Sequence, residues 1–275
     1  MKTGICAIAA DWELPYIMEW LEYHIAIGID NFLVFLNDWE QEKVKKLEEL
    51  IRMKGFPENT VRLVKDFNGK VMQLPAYNQG MAIMTSLGID WCAFIDIDEF
   101  IKVRSSRSLK DILSDHGEKS QLSLNWRFYG SNGIEQVEET YDPDPLDITD
   151  RYSVLGRFTK CAAVLNPHVK QIINLGLFRN SHLALPIFFT PHSTSSISYG
   201  LLGEIVVGPF NGKEPGRVRE LELAHYRTKS RQEYLDRRGT RRRADTGLPW
   251  DRGGLEPMWR EDDKNDIDES ELEWK

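Results

Sequence analysis

The sequence has few cysteines and no long apolar run, and each shortage excludes a class of protein. Its three cysteines, Cys6, Cys92 and Cys161, are odd in number and widely spaced, which fits neither a disulfide framework nor a zinc site. No apolar run approaches the roughly 18 residues of a membrane span, and Asp11 and Glu13 come too early for a signal peptide. We therefore expect a cytoplasmic protein without an integral membrane segment.

The sequence also lacks a net positive charge and the glycine-rich motifs of nucleotide-binding folds. The net charge of −8 argues against nonspecific nucleic-acid binding, so no nucleic-acid partner is expected. Neither GxGxxG nor GxxxxGK(S/T) occurs, which counts against dehydrogenases and P-loop nucleotidases. A nucleotide bound by this chain therefore needs a metal ion rather than a glycine-rich loop.

Apolar strands and amphipathic helices alternate over the first hundred residues. The patterns predict strands over 3–9, 31–36, 60–64 and from 91 onward, with helices over 14–27, 43–54 and 74–87 between them. Strands that are apolar throughout and separated by helices belong to a mainly parallel central sheet with helices on both faces. The predicted fold class is therefore α/β.

The stretch WCAFIDIDEF, residues 91–100, is a short apolar strand that ends in Asp96, Asp98 and Glu99. If the backbone stays extended, Asp96 and Asp98 point to one side of the strand and Glu99 points to the other. Two like carboxylates so close together repel each other unless a cation or hydrogen-bond donors compensate, as a hard divalent ion bridging to phosphate oxygens would. A solvated acidic turn is the alternative.

Polar residues follow the other predicted strands at the same edge of the sheet. They are Asp11, Asn37 with Asp38, and Asp66. Parallel sheets bind ligands at the carboxyl ends of their strands. This convergence favours a binding site over a solvated turn.

The alternation weakens after residue 100. The patterns predict a short helix over 108–113, strands over 121–129, 157–166, 170–177 and 221–227, an acidic loop over 135–150, and a basic helix over 230–238. The arginines between 237 and 243 are expected to be a solvated helix end. The acidic run 261–273 is expected to be a mobile tail.

Five ordered segments, YIMEWLEYHIAIGIDNFLVFLND, QLPAYNQG, DWCAFIDIDEF, WRFYGSNG and AHYRTKS, resemble the glycosyltransferases of the family-2-like and family-92-like (DUF23-type) group with the GT-A fold. This resemblance extends over residues 3–240. It implies a Rossmann-like nucleotide-diphospho-sugar transferase domain over 1–240, with a nucleotide-sugar half at 1–100 and an acceptor half at 101–240. Residues 241–275 would follow as a basic and then acidic tail.

The resemblance also implies a hexose transfer from a UDP-sugar to a glycan or glycan-lipid acceptor in surface polysaccharide synthesis, with Mn²⁺ or Mg²⁺ on the diphosphate. A divalent cation neutralises the charge that builds on the departing diphosphate. Asp98 would ligate the metal directly, Asp96 would contact the ribose or a metal-bound water, and His225 would be the third ligand, with His182 and His192 as competitors. The other implied donor-contacting positions are Ala9, Asp11, Glu13, Asn37, Asp66, Gln73, Tyr77, Asn78 and Lys160.

The proton acceptor is the least determined part of the predicted site. An inverting transfer, which the resemblance implies, needs a carboxylate that takes the proton of the acceptor hydroxyl. Asp150 and Glu135 are ranked first because they flank the acidic loop nearest to predicted strands, while Asp142, Asp144 and Asp147 stay open. Two other functions also stay open: a catalytically silent sugar-binding or scaffold protein of the same fold, and a nucleotidyltransferase.

Overall fold

Three β/α repeats open the chain in the computed structural model, which describes residues 1–69, 71–137, 154–212, 220–240, 247–249 and 254–272. Their strands are β1 (Thr3–Ala10), β2 (Asn31–Asn37), β3 (Val61–Phe67) and β4 (Trp91–Phe94), and their helices are α1 (Leu14–Ala26), α2 (Gln41–Lys54) and α3 (Gln73–Ser86). A single 3-10 turn, Asp11–Glu13, connects β1 to α1. Helix α2 ends at Gly55, whose left-handed φ of 64° suits glycine.

The four strands form a parallel sheet that is buried on both faces. β1 pairs in parallel with β2 and β4, and β2 pairs in parallel with β3. Along β1, Ile5 and Ala7 pack on the side of α1, whereas Cys6 and Ile8 pack on the side of α3. Continuous apolar strands were the basis for predicting helices on both faces, and this prediction is confirmed.

Helix α3 approaches β1 closely because it carries Gly80. A Cβ atom at this position would lie 2.3 Å from the Cys6 sulfur, which is far inside contact distance. Glycine therefore lets the helix lie directly on the strand. This close approach matters for function, because α3 also supplies two side chains to the site described below.

The second half of the chain extends the sheet with mixed strand directions. Its elements are β5 (Glu99–Val103), α4 (Leu109–Asp115), β6 (Gln121–Phe128), α5 (Val154–Arg157), β7 (Lys160–Cys161), β8 (Asn166–Asn174), α6 (Leu175–Ser181), β9 (Phe188–Thr190), β10 (Ser193–Thr194), β11 (Ser198–Tyr199), β12 (Ile205–Val206), β13 (Leu221–His225), α7 (Arg231–Thr240), α8 (Leu255–Asp262), β14 (Ile267–Asp268) and a 3-10 turn at Glu269–Glu271. The main sheet runs in the order β12-β11-β6-β8-β4-β1-β2-β3, and β13 joins β5 to β6.

Strand β8 links the two halves, because it pairs antiparallel with both β4 and β6. The α/β class is confirmed, with a parallel first half and a mixed second half.

Among the described residues, no helix has both the length and the apolar character needed to cross a membrane.

Three secondary-structure expectations were wrong. Residues 91–100 do not form one strand: β4 ends at Phe94 and β5 begins at Glu99, with a turn between them in which the Glu99 N–H donates to the Asp96 carbonyl at 3.1 Å. Between the end of α5 at Arg157 and the start of β8 at Asn166, the stretch predicted as a strand over 157–166 forms only the two-residue strand β7. The stretch predicted as a strand over 170–177 is a strand only to Asn174, whose side chain then caps α6 by accepting from the Leu177 N–H.

The acidic C-terminal run is not a mobile tail as far as residue 272, the last one described. Asp262 accepts a hydrogen bond from the Tyr234 hydroxyl at 2.7 Å, and Asp263 accepts one from the Ser131 N–H at 2.6 Å. β14 pairs with β7. The negative charges that suggested solvation instead bind donors on the folded body, and the proposed boundary at residue 240 stays a prediction.

A buried network of ion pairs connects the strands of the second half of the sheet. Glu222 on β13 is 1% exposed, and it accepts from Arg127 at 3.0 Å and from Arg104 at 2.7 Å. Arg104 also pairs with Glu269 at 2.6 Å, which lies in the C-terminal 3-10 turn. One buried carboxylate therefore joins β5, β6 and β13, and Arg104 extends the network to the C-terminal segment.

We expect Glu222→Gln to reduce the free energy of unfolding by roughly 3–5 kcal/mol, because it leaves the buried Arg127 guanidinium without its counter-charge and removes one of the two carboxylates that pair with Arg104. Urea unfolding measures this loss. The matched control is Glu220→Gln, whose side chain is 44% exposed, and its cost should be about 1 kcal/mol or less. Equal effects of the two variants would contradict a structural role for the buried network.

Candidate active site

The acidic turn between β4 and β5 lies at the carboxyl edge of the parallel strands. β4 is held to β1 along its length, and the Ile95 N–H still donates to the Cys6 carbonyl at 3.3 Å. The chain then leaves the sheet, so Asp96 and Asp98 lie on a turn rather than on one side of a strand. Each of the two carboxylates consequently has its own set of partners.

Asp96 is surrounded by donors from two other elements. Its Oδ1 accepts from the Gln73 amide and from the Tyr77 hydroxyl, both at 2.8 Å. Its Oδ2 accepts from the Lys170 ammonium at 2.9 Å. Gln73 and Tyr77 lie one turn apart on α3, so the close packing of this helix on β1 brings both donors to the same oxygen.

Lys170 and Glu99 form the buried floor beneath this turn. Lys170, on β8, is 1% exposed, and its Nζ lies 3.8 Å from Glu99 Oε2, which itself accepts from the Asp96 N–H at 2.9 Å. Burial alone would lower the pKa of Lys170, but the carboxylates of Asp96 and Glu99 outweigh it and raise that pKa. The prediction that Glu99 faces away from Asp96 is wrong, because the turn folds Glu99 back beneath Asp96.

Asp98 faces a different pair of groups. Its Oδ1 lies 3.5 Å from His225 Nε2, at the end of β13, and its Oδ2 accepts from Arg237 on α7 at 3.1 Å. Burial would raise the pKa of Asp98, but His225 and Arg237 hold it well below the ordinary value. Burial lowers the pKa of His225, although the neighbouring Asp98 carboxylate acts in the opposite direction. The His225 ring packs on Trp126 with ring centroids 4.4 Å apart.

Glu13 is a third buried carboxyl near Asp98. Its Oε2 accepts from the Ala10 N–H at 2.7 Å, which closes the 3-10 turn after β1. Burial and, to a smaller extent, the negative charge of Asp98 raise the pKa of Glu13 to about 8. Glu13 therefore carries a proton at neutral pH.

The predicted metal ligands divide into two groups. Asp98 and His225 face each other with an oxygen and a nitrogen, and His225 Nδ1 is buried without a hydrogen-bond partner among the described residues. Asp96 is already satisfied by its own three donors. In the part of the chain that the structure describes, no group of three His, Cys, Asp or Glu side chains is placed to hold a metal ion. The protein thus offers a two-ligand pair, which fits a divalent cation only if the substrate supplies the other oxygens.

Three other predicted donor-contacting residues have partners near the sheet edge. Asp11 pairs with Lys43 at 2.6 Å, and the Ala9 carbonyl accepts from the Trp39 indole at 2.9 Å. Asn37 donates to the Gly69 carbonyl at 3.2 Å, while its own amide oxygen is buried without a partner among the described residues.

Three further predicted residues, Asn78, Lys160 and Glu135, are not brought to the turn. Asn78 binds the backbone N–H and carbonyl of Phe188, and Lys160 is exposed on β7. Glu135 is 77% exposed and pairs with Arg231 at 3.3 Å. Asp150 lies outside the described residues, as does the side chain of Asp66.

Sequence reasoning missed Lys170 and Arg237. Lys170 had a usable signal, since a lysine within the apolar run around VKQII requires a buried counter-charge. Arg237 had none, because a basic helix end is ordinarily solvated. The expectation of a solvated helix end is wrong for Arg237, which binds Asp98, and for Arg238, which is 6% exposed.

A parallel sheet with an acidic turn at its carboxyl edge defines a class of α/β proteins that bind ligands at this edge. The chain belongs to glycosyltransferase family 92, whose family model matches residues 5–174. A glycosyltransferase family 92 protein of Ricinus communis is 25% identical over 129 residues, which are 44% of this chain and 22% of that protein. The chain thus spans about a fifth of the length of this curated relative.

Solved structures of sugar-transferring enzymes are also similar. The galactosyltransferase LgtC in complex with donor and acceptor sugar analogues is 15% identical, with 64% of this chain and 59% of that chain covered and a TM-score of 0.33. The apo structure of the bifunctional glycosyltransferase WbbM is 10% identical, with 66% of this chain and 33% of that chain covered and a TM-score of 0.34.

The protonated Glu13 should make stability fall as the pH rises. In the unfolded chain Glu13 loses its proton near pH 4.5, whereas in the folded protein it keeps the proton up to about pH 8. Between these values the folded state binds more protons, so the contribution of Glu13 is full at low pH and is lost as the pH rises to 8. The slope is at most about 1.4 kcal/mol per pH unit.

We expect Glu13→Gln to flatten this slope, measured by urea unfolding at several pH values from 5 to 8. Glutamine stays neutral throughout and can still accept from the Ala10 N–H. The control is Glu40→Gln, at a side chain that is 71% exposed. A slope in Glu13→Gln as steep as that of the wild type would contradict a protonated Glu13.

Proposed function

We propose that this protein transfers a hexose from a nucleotide-diphosphate sugar, with UDP as the nucleotide, to a glycan or glycan-lipid acceptor on a GT-A type fold. The observation that carries the proposal is the facing pair of Asp98 and His225 at the carboxyl edge of the sheet in a chain of family 92. This is the edge at which parallel sheets bind their ligands.

Asp98 and His225 would hold a divalent cation, Mn²⁺ or Mg²⁺, and the diphosphate of the donor would supply further oxygens. Carboxylate oxygen and neutral imidazole suit Mn²⁺. When bound, such a cation neutralises negative charge on the diphosphate leaving group. The Arg237 guanidinium donates to the other oxygen of Asp98 at 3.1 Å. It would therefore add a second positive charge on this side of the turn.

Asp96 would bind the ribose of the donor rather than the metal ion. Its oxygens accept from Gln73, Tyr77 and Lys170, so its carboxylate is fixed in place. A fixed carboxylate of this kind can accept from a ribose hydroxyl at the remaining lone pairs. This arrangement supports a ribose contact for Asp96 more than a place in the metal's coordination sphere.

The proton acceptor of an inverting transfer would be Glu135 or Asp150. The Glu135 carbonyl accepts from the Gln232 N–H at 2.9 Å, so Glu135 lies at the beginning of α7. Arg237 lies six residues beyond Arg231 on the same helix, about 9 Å along its axis. Glu135 is paired with Arg231 and not with the turn, so its assignment as proton acceptor depends on the resemblance to the family.

We expect Mn²⁺ and UDP together to raise the melting temperature of the wild-type protein by roughly 5–10 °C at a hundred times the dissociation constant. Asp98→Asn should remove most of this shift, because it deletes one of the two cation ligands. Each variant is compared with its own ligand-free melting curve. Asp115→Asn, at an exposed carboxylate on α4, should keep the full shift.

An undiminished shift in Asp98→Asn would contradict the metal role of Asp98. GDP, dTDP and nucleoside triphosphates in the same assay identify the nucleotide, and slow hydrolysis of a UDP-sugar with Mn²⁺ establishes that the protein is catalytic. Stabilisation by triphosphates without any nucleotide-sugar hydrolysis would point to a nucleotidyltransferase instead. Binding of the donor without hydrolysis or transfer would point to a silent sugar-binding protein.

A further inference from the structure

Exposed apolar side chains concentrate in one segment of the second half of the chain. Among the described residues, thirteen large apolar side chains are exposed, and eight of them lie between residues 183 and 210. Single exposed apolar residues are ordinary on a protein surface, whereas a cluster of them marks an interaction site. The segment contains the short strands β9 to β12.

The hairpin of β11 and β12 directs apolar side chains outward. Ser198 pairs with Val206 in antiparallel register, and continuing this register by one residue brings Ile197 opposite Val207. Ser198 and Val206 are buried, whereas Ile197, Ile205 and Val207 are exposed. Because successive strand residues point to opposite faces, these three side chains share the outer face. Antiparallel sheets ordinarily place polar residues on the face away from the core, and here that face is apolar.

Strand β9 adds two apolar side chains beside this hairpin. Ile187 and Phe189 are exposed, while Phe188 between them is buried in the core. The Ile187 N–H donates to the Ser195 hydroxyl, and the Ser195 N–H donates to the Ile187 carbonyl, both at 2.9 Å. Ser195 precedes Ile197 by two residues, so β9 lies next to the hairpin. We call the exposed set the apolar face: Ile187, Phe189, Ile197, Leu202, Ile205 and Val207.

The apolar face is almost without charge. Residues 183–212 include one charged side chain, Glu204, in a chain in which 28% of the residues are charged. Glu204 is engaged within this segment, because its carboxylate accepts from the Leu202 N–H at 3.1 Å and from the Asn211 amide at 3.0 Å. Burial lowers the pKa of His192 to about 3, so this histidine is neutral as well. The surface therefore suits an uncharged, apolar partner.

We propose that the apolar face binds a second copy of this chain in a twofold symmetric dimer. In such an interface the same patch lies against itself, so a charged patch would repel its own copy, whereas an uncharged one does not. A bilayer suits this surface less well, because binding at a membrane surface ordinarily draws on lysine, arginine and tryptophan. Residues 183–212 contain none of these three residue types.

The size of the apolar face also matches a dimer interface. Its six side chains are 56–83% exposed, which leaves on the order of 100 Å² of each in water, or about 600 Å² together. A standard interface removes about 800 Å² from each partner, of which roughly 60–65% is apolar, or about 500 Å². The apolar face therefore supplies the apolar area that a stable dimer needs.

Sedimentation velocity of the full chain over a range of micromolar concentrations tests the proposal. We expect the wild type to sediment as a dimer and Val207→Lys to raise the dissociation constant at least about a hundredfold, because each copy then brings a charge into an apolar contact. The matched control is Met53→Lys, at an exposed side chain on α2. α2 precedes β3, which lies at the opposite end of the sheet order from β12, so this variant should remain dimeric.

Cysteine cross-linking gives a readout that a destabilised monomer cannot imitate. The native cysteines Cys6, Cys92 and Cys161 are buried, so a cysteine introduced at the surface is the thiol that a short bismaleimide reaches. We expect covalent dimers from Val207→Cys or from its mixture with Ile197→Cys. Met53→Cys should stay monomeric under the same conditions.

The other outcomes overturn the proposal. A wild-type chain that remains monomeric at every concentration excludes the dimer, and a Val207→Lys variant that dimerises as tightly as the wild type excludes the apolar face as its interface. A monomeric wild type that sediments with phosphatidylcholine vesicles, with this binding lost in Val207→Lys, would show that the face binds lipid instead. None of these measurements involves a sugar donor, so the proposed function is tested separately.

Discussion

The site depends on one buried ammonium group, that of Lys170. It reaches from β8 to the turn after β4, where it binds Asp96 at 2.9 Å and lies 3.8 Å from Glu99. Without a positive charge here, two carboxylates three residues apart would share a poorly solvated space, and the turn would have to open or take up a proton. The ion pair therefore fixes the shape of the turn and the position of the Asp96 carboxylate.

This arrangement makes the site a product of both halves of the chain. The carboxylates come from the first half, on the turn after β4, whereas the groups that balance them come from the second half: Lys170 on β8, His225 on β13 and Arg237 on α7. Neither half alone supplies both the carboxylates and the cationic groups that balance their negative charge. β8, which pairs with both β4 and β6, is the mechanical link that brings the charges into register.

The sequence was informative where a pattern repeats and uninformative where a single side chain meets a distant one. The parallel strands, the helices between them and the carboxyl-edge position of Asp96 and Asp98 follow from hydrophobic periodicity. The turn at Asp96 could not be read from WCAFIDIDEF, since an apolar run ending in carboxylates is compatible with a continuing strand. The structure of 254–272 could not be read either, because its carboxylates find donors, such as Tyr234 and Ser131, that only the folded chain brings near.

The two buried lysines, Lys170 and Lys229, show how the distance to a carboxylate decides the pKa of a buried ammonium group. Lys170 has carboxylates within reach, and they raise its pKa against the effect of burial. Lys229 is 4% exposed, and burial together with the charge of Arg237 lowers its pKa, although the carboxylates of Asp98, Glu233 and Glu13 act in the opposite direction. The two cases differ in contact. A carboxylate oxygen at 2.9 Å compensates for the burial of Lys170, whereas carboxylates farther from the ammonium do so only in part at Lys229.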